Sequence, residues 1–242
     1  MTRTQSDLKE QKEYFSSEEL LEHYTSDATG GLSPEEREAI TRYLPADGTR
    51  ILDLGCGTGR TTTALERMGF DVVGVDFTES YIERARSLFP KPQFLVGDAT
   101  TLPFDDEAFD GVVFLGLGFS TVLPEETRYT VLREIRRVLR PDKPVIFNTH
   151  NRLSTYVIRE FSLEGVYEFL EFWAHNIWKK RLFSRYKSDT TVEDGPTDVY
   201  YIRPEYQKQQ LRNCGFESVE TVRPDGVLRS RFHHPHYIAR KP

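Results

Sequence analysis

An α/β protein with a doubly wound parallel sheet is the fold class this sequence predicts, and two observations lead there. From Ile51 to about Asn148, short apolar runs alternate with helical segments, the pattern of strand–helix–strand units laid side by side. Three of those runs also end in residues that carry chemistry. Ile51-Leu52-Asp53-Leu54 runs into Gly55-Cys56-Gly57-Thr58-Gly59, Asp71-Val72-Val73-Gly74-Val75 ends in Asp76, and Gln93-Phe94-Leu95-Val96 leads to Gly97-Asp98-Ala99. Open α/β sheets bind ligands beyond the carboxyl ends of their strands, so a site is expected there.

The remaining elements follow in order. Ser17 to Glu22 and Ser33 to Tyr43 read as amphipathic helices opened by Ser-x-x-Glu-type caps, with Pro34 at the first helical position of the second. The first three strands are the runs above. Phe109 to Gly116 reads as the fourth strand, Pro124 to Leu139 as a capped helix, and Val145 to Asn148 as the fifth strand. Asn151 to Arg203 is an insertion of about fifty residues, longer than an ordinary connection. Within it, Trp178 to Tyr186 and Thr197 to Ile202 can pair as antiparallel strands around a turn at Glu193-Asp194-Gly195-Pro196. Glu205 to Cys214 is a helix closed by Gly215, and the strands Phe216 to Val222 and His236 to Ala239 complete the sheet.

The glycine run distinguishes between nucleotide ligands. Alternate glycines remove the Cβ atoms that would hold a ligand off the backbone, and the next helix aims free N–H groups at an anionic group. A dinucleotide fingerprint needs Gly-x-Gly-x-x-Gly, whose last position here is Arg60, with Gly59 one place early. The run Asp53-x-Gly55-x-Gly57-x-Gly59 resembles the first motif of class I S-adenosylmethionine-dependent methyltransferases. The resemblance spans about Leu44 to His150 and Pro204 to Arg240, with specific motifs from Asp53 to Asp98.

That resemblance implies a seven-stranded Rossmann-like methyltransferase sheet with S-adenosyl-L-methionine as cofactor. It divides the chain into an N-terminal helical lid (1–43), a cofactor-binding core (44–150), an inserted substrate cap (151–203) and the C-terminal part of the sheet (204–242). The implied cofactor residues are Asp53, Gly55, Cys56, Gly57 and Gly59 of the loop. Asp76 accepts the ribose hydroxyls, or else caps the helix that follows, which Thr78 can cap instead. Asp98 accepts the adenine amino hydrogen and the Ala99 N–H donates to a ring nitrogen. Phe77 lies on the purine face or in the core, and Leu115 to Gly118 face the methionine arm. Tyr14, Phe15 and Tyr24 either close on the sulfonium or staple the leader to the core.

Composition narrows the function classes. The net charge of −6 over 242 residues argues against a dedicated nucleic-acid binder. The basic runs Lys179-Lys180-Arg181 and Arg133 to Arg140 read as solvated faces. Two distant cysteines, Cys56 and Cys214, do not make a disulfide framework, and the His233, His234 and His236 tract has no cysteine partners of zinc-type spacing, so no metal is expected. Met1 to Gln11 lacks an apolar signal core, and no stretch approaches the ~18 apolar residues of a membrane span. A cytoplasmic protein, monomeric or homodimeric, is the expectation.

The expected partner is a small-molecule acceptor with a nitrogen or oxygen nucleophile. His150, at the end of the fifth strand, is the candidate general base. Asn148, Trp173, His175, Trp178 and Tyr200 are the candidate substrate residues, the last four from the cap. An RNA acceptor, which needs a basic groove beside Leu117 and Asn148, and a non-catalytic cofactor-binding role are the alternatives.

Overall fold

The computed structural model describes residues 13–44, 48–156, 162–178, 185–189, 197–222 and 234–242. Two helices, α1 (Glu18–Asp27) and α2 (Pro34–Tyr43), precede the sheet. Ser17 caps α1 by accepting the Leu20 N–H. At α2, Ser33 and Glu36 exchange side-chain to backbone hydrogen bonds in a full capping box. Then come β1 (Arg50–Leu54), α3 (Arg60–Arg67), β2 (Asp71–Asp76), α4 (Glu79–Leu88), β3 (Gln93–Val96), β4 (Gly111–Phe114), α5 (Glu125–Val138) and β5 (Pro144–Asn148). The insertion supplies α6 (Leu163–Trp178), β6 (Tyr186–Asp189) and β7 (Thr197–Tyr200), and the chain ends with α7 (Pro204–Asn213), β8 (Glu217–Val222) and β9 (His236–Arg240).

Seven strands form one sheet in the order β3-β2-β1-β4-β5-β9-β8. The first five run parallel, while β9 lies antiparallel to both β5 and β8. Strand order reverses between β1 and β4, so the loops leaving those two strands part and open a crevice.

Strand periodicity divides the core in two. On one face Leu52, Leu54, Val73, Val112, Phe114, Val145 and Phe147 pack with Val131, Leu132, Ile135 and Val138 of α5. The alternate residues Ile51, Val72, Val113 and Ile146 meet Ile40 of α2 and Leu65 of α3 on the other. Each fully buried aliphatic side chain stabilises the fold by roughly 1.5–3 kcal/mol. Near-continuous apolar strands are what a sheet covered on both faces requires.

The insertion departs from expectation. Trp178 ends helix α6 and does not begin a strand; the β6–β7 pairing starts at Tyr186, which faces Tyr200. Apolar and aromatic side chains dominate 163–178 at helical spacing, and that period prevails over the β propensity of its aromatic end. The expected turn at 193–196 lies outside the described residues, as do Lys179, Lys180, Arg181 and His233. Thr78 sits at the N-cap of α4 but makes no side-chain cap bond.

A buried arginine joins this insertion to the sheet. Arg128 of α5 is fully buried. Its guanidinium lies 4.0 Å from the Phe119 ring centroid and 4.3 Å from that of Tyr200. It donates to the Phe119 carbonyl and to Gln207 Oε1 of α7, the latter at 2.9 Å. Nearby, Arg185 pairs with Glu125 at 2.8 Å. Arg128→Met keeps most of the volume but strands the Phe119 carbonyl and the Gln207 amide. It is expected to lower unfolding free energy by about 3 kcal/mol, measured as a reduced urea midpoint at unchanged m-value.

Candidate active site

A cavity of about 410 Å³ opens at the carboxyl ends of the parallel strands, within the ~300–1,000 Å³ typical of ligand sites. The β1–α3 loop forms its floor. Gly57, with φ 54°, has no heavy atom within 4 Å of where a Cβ would stand, so the backbone there faces open space. Gly55 and Cys56 also line the cavity. Gly59 does not: a Cβ there would come within 3.0 Å of the Phe94 ring and 3.1 Å of Phe89. Its expected cofactor contact is replaced by close packing of α3 against the sheet.

Asp76, at the end of β2, ties this loop down. One carboxylate oxygen accepts the Gly57 N–H at 3.0 Å and the other the Thr78 N–H at 2.8 Å. Burial raises its pKa, and those backbone donors hold the rise back. Asp98 accepts both the N–H and the hydroxyl of Thr100 through Oδ1, each at 2.8 Å, and lines the cavity with Ala99. Leu115, Gly116, Leu117 and Gly118, expected as one wall, all face it.

Aromatic groups close the near side. Tyr14, Phe15, Tyr24, Phe77 and Tyr81 line the cavity. Phe15 meets Phe77 edge-on at 5.7 Å, and Tyr24 lies 5.3 Å from Tyr81. The Thr58 hydroxyl donates to the Tyr24 carbonyl at 2.7 Å, fastening α1 to the glycine loop.

Two expected cofactor residues have buried side chains. Asp53 is buried off the cavity and accepts the Thr62 hydroxyl at 2.6 Å, pinning the first turn of α3 to β1. Desolvation pushes its carboxyl up to about 7, against the Thr62 hydrogen bond and the Arg60 charge. The Cys56 thiol is buried too, and burial with the nearby Asp76 and Asp53 raises its pKa well above the ordinary value, which leaves it a poor nucleophile.

Sequence reasoning missed Arg60, treating it only as a misplaced glycine. Its guanidinium meets the Glu36 carboxylate through two bonds of 2.9 and 3.0 Å, lies 3.5 Å from Asp27 and also lines the cavity. Burial raises the Glu36 pKa, but Arg60 and the Ser33 N–H outweigh it, and the net shift is downward. A signal was present: Glu36 stands three and four residues before the apolar Ala39 and Ile40, on the core face of α2, and a buried carboxylate demands a cation.

On the acceptor side the structure separates the expected residues. His150 reaches the cavity, its ring 5.0 Å from Tyr201 and 4.8 Å from His234, while its N–H donates to Ser120 Oγ at 2.9 Å. Asn148 is buried off the cavity, accepting the Leu117 N–H at 2.8 Å, and so fixes a residue held at φ 63°. Trp173 donates its indole N–H to the Thr155 carbonyl at 2.9 Å. His175 and the exposed Trp178 lie farther along α6, and neither lines the cavity. Tyr200 is fully buried against Arg128. Its neighbour Val199 reaches the cavity instead, because successive strand residues face opposite ways.

A glycine loop and two strand-end acids share one cavity at the switch point of a Rossmann-like sheet. A methyltransferase domain family matches residues 51–142. Over 104 residues the chain is 39% identical to an uncharacterised methyltransferase of Mycobacterium tuberculosis, covering 43% of this chain and 41% of that relative. The chain thus spans about two fifths of that relative's length. It is 29% identical to a malonyl-[acyl-carrier protein] O-methyltransferase of Halorhodospira halophila, over 79% of this chain and 64% of the relative. The crystal structure of an S-adenosylmethionine-dependent methyltransferase from Methanosarcina mazei has the same fold, with TM-score 0.64 at 21% identity, covering 87% of this chain and 98% of that one. The domain model, the relatives and the fold together support a class I S-adenosylmethionine-dependent methyltransferase, on a match carried by residues 51–142. Family and fold imply binding of S-adenosylmethionine. No helix among the described residues is long and apolar enough to cross a membrane.

Asp53 makes the site's support pH-sensitive. Its folded pKa, about 7, lies above the ordinary 3.8. Its contribution to stability is therefore complete below about pH 3.8 and lost as pH rises through 7. Asp53→Asn mimics the neutral form. Denaturant titrations should show the wild type losing roughly 2–3 kcal/mol against the variant between about pH 5 and 8. Parallel curves would show that Asp53 does not titrate there.

Proposed function

We propose that this protein transfers the methyl group of S-adenosyl-L-methionine to a nitrogen or oxygen of a small-molecule acceptor. One observation carries the reading: Gly57, Asp76, Asp98 and His150, from four separate loops, meet on a single cavity. The residues present suit the nucleoside. Each Asp76 oxygen already accepts one backbone N–H, and a carboxylate oxygen has two lone pairs, so both can also accept ribose hydroxyls. The bonds of Asp98 to Thr100 fall on Oδ1, and Oδ2 accepts none among the described residues, which suits an adenine amino group. Phe77 offers a purine platform. Tyr24 and Phe15 offer π-faces to a cation, worth roughly 0.5–2 kcal/mol.

When bound, the cofactor supplies an electrophilic methyl on a sulfonium. The protein's own work is positioning, exclusion of water and removal of a proton. Residues 1–43 act as the lid, fastened by Thr58 and Arg60. Residues 151–203 act as the cap, which contributes Val199. His150 accepts the acceptor's proton, its ring held against Tyr201 and His234. Among the described residues the lining carries Asp27, Asp76 and Asp98 against one arginine, Arg60, a balance that disfavours a polyphosphate acceptor. The name of the Halorhodospira relative specifies an oxygen on a carrier-bound malonyl group, in keeping with the oxygen nucleophile of this reading.

Calorimetry with S-adenosylhomocysteine should show binding to the wild type, and Asp76→Ala should weaken it about ten- to a hundredfold, the loss of charge-assisted hydrogen bonds. In assays with isotopically labelled S-adenosylmethionine, label should enter low-molecular-weight metabolite fractions and not tRNA. His150→Gln should then lower kcat about 10²–10⁴-fold with S-adenosylhomocysteine affinity unchanged. Absence of binding would end the cofactor assignment. Binding without transfer to any fraction would end the enzymatic one.

A further inference from the structure

Helix α6 is apolar around most of its circumference, yet the molecule covers only part of it. Phe172, Trp173 and Asn176 face inward, where Phe172 and Trp173 pack with Val199 and Tyr201. On the opposite side Leu163, Val166, Tyr167, Leu170, Ile177 and Trp178 form a continuous outward stripe, 93%, 37%, 66%, 60%, 55% and 78% exposed. The positions advance by three, one, three, seven and one, the seam of a helix made to pack against another helix. Ala174 lies on the same stripe and is also exposed. Apart from the inward Asn176, the polar residues Glu168, Glu171 and His175 lie on one flank.

We propose that this stripe is the interface of a homodimer, in which α6 of one copy packs antiparallel on α6 of the other about a twofold axis near Ala174. Two observations select a second copy as the occupant. First, the six exposed side chains present on the order of 700–800 Å², close to the ~800 Å² per partner of a standard stable interface and above the largest apolar patch usual on a monomer, ~300–600 Å². Second, the stripe is self-complementary. A twofold axis at Ala174 places a small residue at the crossing and opposes Leu170 of one copy to Trp178 of the other, which lie four residues on either side.

The arrangement bears on the reaction through β7. Phe172 and Trp173 pack on Val199 and Tyr201, and those residues border the cavity and His150. Dimerisation therefore braces the cap from its outer side.

Sedimentation equilibrium and light scattering on the full chain, from about 1 to 100 μM, provide the test. The wild type should be a dimer, and Leu170→Glu should weaken association by roughly thirtyfold or more with thermal unfolding of the monomer unchanged, since the side chain is mostly exposed. A wild type that stays monomeric at 100 μM would overturn the proposal, as would a dimer indifferent to Leu170→Glu. Recovery of that monomer on phosphatidylcholine–phosphatidylglycerol vesicles would assign the stripe to a lipid surface instead.

Discussion

The carboxylate of Asp76 holds the β1–α3 loop in a shape that leaves the Gly57 backbone facing open space. By accepting one N–H from Gly57 and one from Thr78, it joins the apex of that loop to the exit of the next strand. Glycines give a loop access to left-handed backbone angles, but they also give it freedom to leave them. The ion supplies the restraint. Burying it carries a desolvation cost, visible in its raised pKa, and the backbone donors offset that cost. Asp53 does the same from beneath through Thr62, so the cavity floor is clamped on two sides before any ligand arrives.

The same logic recurs where the peripheral helices meet the sheet. Arg60 binds the leader through Glu36 and Asp27, and Arg128 binds the insertion through Phe119, Tyr200 and Gln207. Neither guanidinium is a strong source of net stability, because removing a charge from water costs nearly what its partners return. Their directionality is what matters. Apolar packing would accept α1, α2 or β7 at several offsets, whereas a bidentate ion pair and a ring-sandwiched guanidinium each accept one. The lid residues and Val199 consequently arrive at the cavity in fixed positions.

Legibility in the sequence tracked the range of the interactions. The Ser33–Glu36 capping box, the helix end at Gly215 and the acids closing β2 and β3 are local patterns, and each is found where the sequence put it. Reading the cap was harder. Tyr200 and Val199 are adjacent, and which of them faces the cavity depends on the parity of a strand whose partner, Tyr186, lies fourteen residues upstream. Trp173 and Asn148 carry polar groups suited to a substrate, yet their partners turn out to be the Thr155 carbonyl and the Leu117 N–H.

By itself the sequence determined the class of fold, the glycine loop and its two acids, and a resemblance to methyl-transferring enzymes. These rest on backbone geometry and on strand and helix periods, which neighbouring residues dictate. Only the tertiary structure decided that Asp53, Gly59 and Asn148 support the site from behind, that Arg60 secures the leader, and that α6 turns an apolar stripe outward. The physical reason is that burial and hydrogen-bond partnership belong to pairs of distant residues. A side chain's chemistry is written at its own position, but the groups that meet it are chosen by the packing of the whole chain.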